Sequence, residues 1–108
     1  MLDINYGYSH YKKHIFNVNE NVDTFIHSLS ISQKDNIINL YKPLDYLIES
    51  PDSLNITDQR LLALKSRIRS ILKCLNLVKK RETSGNFKYD YVMISRFDIA
   101  LLTNIIFE

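Results

Sequence analysis

Residues 89–98 read YDYVMISRFD, an apolar run that closes on an arginine and a carboxylate. Tyr91, Val92, Met93 and Ile94 at its centre have the composition of a strand buried on both faces, as the inner strands of parallel α/β sheets are. Ligands of such sheets bind beyond the carboxyl ends of the strands, which puts Ser95, Arg96 and Asp98 where chemistry is usually placed. Arg96 and Asp98 are one residue apart and project to the same side if the strand continues through them. Two readings are open for the pair. In one they form an ion pair that closes the strand. In the other Asp98 is a hard oxygen ligand for Mg or Mn, with Arg96 available for phosphate.

Upstream, Ser9 can cap a helix through Tyr11, Ile15 and Phe16 that ends in the asparagines between Asn17 and Asn21. Val22 to Ser28, VDTFIHS, has the β-branched and aromatic content of a strand. A helix follows from about Ser32 to Tyr41, stopped by Pro43, and Tyr46 to Glu49 supplies the next short strand before the turn-rich ESPDSLN. Thr57 opens the longest element, where Leu61, Leu64, Ile68, Ile71, Leu72, Leu75 and Val78 recur at spacings of three and four. Gly85, in ETSGN, separates that helix from the strand at Tyr91 to Arg96. Alternating helices and strands predict one three-layer α/β domain over residues 1–108, with a mainly parallel sheet and right-handed crossovers. Before the first helix stands only LDINY, whose alternation suits a short edge strand and not a central one. A missing central strand would make the chain a fragment, leave sheet edges open and favour self-association.

Composition narrows the function classes. Fourteen Lys and Arg against twelve Asp and Glu leave a formal charge of +2, too little in total to point to nucleic acid. The single cysteine, Cys74, excludes an internal disulfide and fits a reducing compartment. No apolar run approaches the roughly 20 residues of a membrane span, and the first residues lack a signal-peptide core, so a cytoplasmic protein is expected. Gly7 and Gly85 are the only glycines, which excludes a P-loop, a G-x-G-x-x-G turn and a G-x-S-x-G elbow. His27 and Ser28 are strand neighbours pointing to opposite faces, so they form no dyad, and no hydrolase nucleophile is visible. His10 and His14 have the spacing of two zinc ligands on a helix but no Glu between them, and read as surface histidines. Lys65, Arg69, Lys73 and Lys80 make one flank of the long helix basic, a pattern expected of a solvated margin.

The segments VDTFIHS, IINLYKPLDYLIE and FKYDYVMISRFDIALL, in that order, resemble the patterns vDvFiHsW, lYkPk…iE and YDyvi..R.Dl.f. Those patterns mark a family of glycosyltransferases found in bacterial polysaccharide loci and large viruses. The resemblance runs from about Tyr8 to Phe107, covering mainly the family's N-terminal half. It implies a GT-A-like, Rossmann-related nucleotide-diphospho-sugar transferase fold and transfer of a sugar from a nucleotide-diphosphate donor to a hydroxyl acceptor. Asp98 corresponds to the family's carboxylate near a divalent cation (Mn or Mg) and the sugar nucleotide. Arg96 would contact phosphate, and His27 and Ser28 would stand at the neighbouring strand end. Arg96 takes the place of the first aspartate of a D-x-D motif, and Leu29 the place of a tryptophan. Two other classes stay open: a noncatalytic α/β interaction module in which Arg96 and Asp98 pair, and a small nuclease with Glu49 beside Asp98.

Overall fold

A computed structural model of the chain describes residues 4–50, 58–97 and 101–107. Helix α1 spans Ile4–Tyr11 and continues into a π-helical turn, Lys12–Phe16. Strand β1 is Phe25–Ser28, a 3₁₀ turn covers Ile31–Gln33, and helix α2 runs Lys34–Tyr41. Strand β2 is Asp45–Ile48, and helix α3 occupies Gln59–Gly85. The predicted α/β class is observed: β1 and β2 pair in parallel, Phe25 opposite Asp45 and Ser28 opposite Ile48, with α2 in the connection between them.

Alternation along β1 separates two helical layers. Ile26 joins Ile4, Tyr11, Ile15, Ile37 and Tyr41 in a core shared with α1 and α2. His27, pointing the other way, bonds to Ser70 on α3, so the helices cover opposite faces of the parallel pair. Helix α2 stops at Lys42, whose left-handed φ of 46° lets its N–H reach the Ile38 carbonyl at 2.9 Å, and Pro43 then bars another turn.

Several boundaries differ from those predicted. The first helix begins by Ile4, so the described part of LDINY is helical and makes no edge strand. Ser9 lies inside that helix, its hydroxyl donating to the Tyr6 carbonyl at 2.6 Å, the back-bonding open to a mid-helix serine. Asp58 caps α3, its carboxylate accepting from the Arg60 and Leu61 amides at 2.9 and 3.3 Å. Gly85 is the last residue of α3, because Asn86 takes the left-handed position with φ of 53°. The Phe87 amide then closes on the Glu82 carbonyl at 3.1 Å, and asparagine serves here as glycine usually does.

The largest departure is at Tyr91–Arg96, which forms no strand and does not join the sheet, so the described sheet has two strands. Tyr89 anchors the start of this segment through a 2.6 Å bond to Asp23 and an edge contact with Phe25. At its end the Tyr11 hydroxyl bonds the Ser95 hydroxyl and the Arg96 carbonyl. Between these anchors Tyr91, Val92, Met93 and Ile94 stay 41–57% exposed. An apolar run shows that a segment can be buried, but burial on both faces needs a second layer, and here no described helix or strand packs over the run, although the Tyr91 ring meets Phe107.

Residues 101–107 lie against α1 and its π turn. The Ile105 amide donates to the His14 carbonyl at 2.9 Å, and Asn19 accepts from the Phe107 amide at 2.9 Å and donates to the Ile105 carbonyl at 2.7 Å. The two histidines hold the same segment. His10 Nδ1 donates to the Leu101 carbonyl at 2.9 Å, and His14 Nδ1 bonds the Asn104 side-chain oxygen at 2.9 Å. His14 is buried, which corrects its reading as a surface residue.

Tyr41 carries the core's least satisfied group: its hydroxyl is buried with no hydrogen-bond partner among the described residues. Such an oxygen costs about 1–3 kcal/mol. Tyr41→Phe is therefore expected to stabilise the fold by about 1 kcal/mol, read as a higher urea midpoint at neutral pH. Burial, then the neighbouring Tyr11 and Tyr8, push the Tyr41 phenol well above its ordinary 10.0. The unfolded chain ionises first as pH rises, so stability is unaffected below that value and falls above it. Part of this alkaline loss should vanish in the Phe variant. Tyr89, pushed up to about 12 by burial and by Asp23, supplies a further part of the same sign.

Candidate functional site at the strand ends

The carboxyl ends of β1 and β2 bring His27, Ser28 and Glu49 to one edge, the Glu49 amide extending the ladder to the Ser28 carbonyl at 3.0 Å. Helix α3 adds Ser70 and Lys73, which stand on one helical face because they are three residues apart. His27 Nε2 lies 3.0 Å from Glu49 Oε1, and the same oxygen takes the Lys73 ammonium. Because an ionised carboxylate only accepts, Nε2 donates to Glu49, and Nδ1 is bonded to the Ser70 hydroxyl. The result is a continuous chain: Ser70 hydroxyl, His27 imidazole, Glu49 carboxylate, Lys73 ammonium.

Lys73 first, and His27 second, hold the Glu49 carboxyl below its ordinary 4.5. The sign follows directly: a depressed folded pKa supplies stability above the ordinary value, and that stability is lost as pH falls through the folded one. Glu49→Gln should therefore cost stability at pH 7, and the gap from wild type should narrow in acid. Denaturant midpoints of both proteins across pH 7 to 3 test this; an unchanged gap would show that the charge of Glu49 is not what binds the edge together.

An imidazole oriented by a carboxylate and touching a serine is the hydrogen-bond order of a nucleophilic triad. Its surroundings are not those of one. The His27 side chain is only 3% exposed, and Ser70 sits in mid-helix with no neighbouring backbone N–H free for an oxyanion. The arrangement is chemically a polar tie between β1, β2 and α3, with Glu49 and Lys73 as its accessible end. A concavity of about 330 Å³ lies elsewhere, at the amino ends of the strands, lined by Asp23, Thr24, Tyr41, Lys42 and Leu44 among others.

Of the predicted site residues, His27 and Ser28 stand at this edge, with Ser28 buried and its hydroxyl accepting from the Ser30 amide at 3.1 Å. Arg96 is in the exposed 91–96 segment, where its backbone carbonyl is held by Tyr11, on the α1 side of the sheet. Asp98, the predicted metal ligand, lies outside the described residues. Ser70 is 43 positions from His27 and carries no local signal of that contact, and Lys73, expected on a solvated basic flank, is instead tied to Glu49. The available signal was the small and polar face of α3, where Ser66, Ser70 and Cys74 recur every four residues opposite the leucines. Cys74 belongs to that face, donating to the Phe25 carbonyl at 3.2 Å, and burial pushes its thiol up. Among the described residues no three His, Cys, Asp or Glu converge in a way that could hold a metal ion.

Comparison with family models finds no match to the chain, and neither curated proteins nor solved structures yield one.

Proposed function

We propose that the chain is the donor-side half of a GT-A-like glycosyltransferase, binding the diphosphate of a nucleotide sugar beyond the carboxyl ends of β1 and β2. The observation that carries this reading is the convergence of His27, Ser28, Glu49 and Lys73 at those ends, the edge at which open α/β sheets receive ligands. The ordered resemblance of three sequence segments to the transferase family supports it independently. In this reading Lys73 and Arg96 supply positive charge for the diphosphate, and the hydrogen-bonded His27 fixes the edge. The described acids and histidines do not themselves fit a divalent cation, since Glu49 already carries Lys73. Asp98 is the proposed contact for Mg or Mn.

An NMR titration of the labelled chain with UDP and GDP, with and without magnesium, tests the proposal, with Asp98→Asn as the control. Saturable shifts at His27, Ser28 and Arg96 are expected, strengthened by the cation in the wild type and not in the variant. Absence of shifts in a folded sample would overturn it. A noncatalytic interaction module would then stand, a reading favoured by the exposed leucines of α3.

A further inference from the structure

Helix α3 turns its apolar stripe away from its own sheet. Ser70 and Cys74 meet β1, whereas Leu61, Leu64, Ile68 and Leu72 are 43–56% exposed. These four occupy an arc of about 80° on a regular helix. Lys65 and Arg69 border the arc on one side, Arg60 and Arg67 on the other. From Gln59 to Arg81 the helix has eight Lys and Arg and no Asp or Glu, although the whole chain is close to neutral. The sequence suggests a basic flank beside a core-facing stripe; in the structure Ile71, Leu75 and Val78 of that stripe are half-buried, while Leu61, Leu64, Ile68 and Leu72 are exposed between two basic margins.

We infer that the outer face of α3 docks on the surface of a bilayer containing anionic phospholipids. Leu61, Leu64, Ile68 and Leu72 enter the boundary between headgroups and acyl chains, and the bordering Lys and Arg lay their stems along it while their charges meet lipid phosphate. Charge selects this occupant. A second copy seated on the same stripe would bring basic margins against basic margins. A single short acidic helix would engage the margins but not Lys79, which stands in the same arc as the stripe and carries its positive charge toward the end of a helix about 40 Å long. A planar anionic surface meets the whole length together. Among the described residues no helix is long and apolar enough to cross a membrane, so the contact is peripheral. The inference is independent of the donor-site reading.

Co-sedimentation of the intact chain with vesicles tests it, comparing phosphatidylcholine alone with phosphatidylcholine containing phosphatidylglycerol. Binding to the anionic vesicles is expected to be tighter by at least about tenfold, since each basic residue near the surface adds to the attraction. It should weaken as salt shortens the screening length to about 3 Å near 1 M. Lys65→Glu with Arg67→Glu should remove the preference for anionic vesicles. Leu64→Ser with Ile68→Ser should weaken binding to them while circular dichroism shows the helix retained. Equal binding to both vesicle types, no binding to either, or dimerisation that Leu64→Ser and Ile68→Ser abolish would each overturn the inference.

Discussion

Replacing Ile37 with alanine is expected to destabilise the chain by about 2–5 kcal/mol, a large share of the roughly 5–15 kcal/mol that holds a domain of this size folded. Ile37 is fully buried, with no surface left to solvent, and it stands in the one cluster that joins α1, α2 and β1. Truncation removes both the transfer energy of the lost methyl and methylene groups and the contacts of whatever lined the vacated space. Urea denaturation measures the loss as a lower midpoint at unchanged slope. A cost under about 1 kcal/mol would mean that the core closes over the gap, and that Ile37 is not its centre.

Gly7→Ala should have the opposite sign from a usual helical substitution. Alanine in place of a mid-helix glycine ordinarily stabilises by up to about 1 kcal/mol. At Gly7 the added methyl would fall inside the contact radius of the Phe97 carbonyl oxygen and 3.3 Å from its carbon. Both are backbone atoms that no rotamer change can move. The 97 segment must then withdraw from α1, taking the Tyr11 bonds to Ser95 and Arg96 with it. A net loss of about 1–3 kcal/mol is expected, typical of overpacking, and weaker amide protection near Arg96 should accompany it. A more stable Gly7→Ala protein would show that the close approach is absent.

Both variants probe parts of the fold that differ in how far the sequence revealed them. The helix through Ile37 and its stop at Pro43 were legible, because an apolar period and a proline act locally. So were β1, β2 and the long repeat of α3. Contact between Gly7 and Phe97 was not, since it joins a helix to a segment whose own conformation was misread. Tyr91–Ile94 has strand composition, yet composition carries no information about whether a partner edge is present. At the site, His27 and Ser28 could be placed because a strand end is a local feature. Ser70 and Lys73 could not, because which face of α3 meets the sheet is decided by packing, and here the small polar face meets it in place of the leucines.

The connection between β1 and β2 has a consequence for how the chain assembles. Only residues 29–44 separate the two strands, and half of them are helical in α2, so the parallel pair forms by a short closure. The bond between His14 and Asn104 instead joins positions 90 apart. By chain statistics that closure costs about 1.3 kcal/mol more than one of twenty residues. Residues 25–48 are thus the natural nucleus, with the 101–107 segment the last to settle and the first to open, so hydrogen exchange should run fastest at Ile105 and slowest at Ile26.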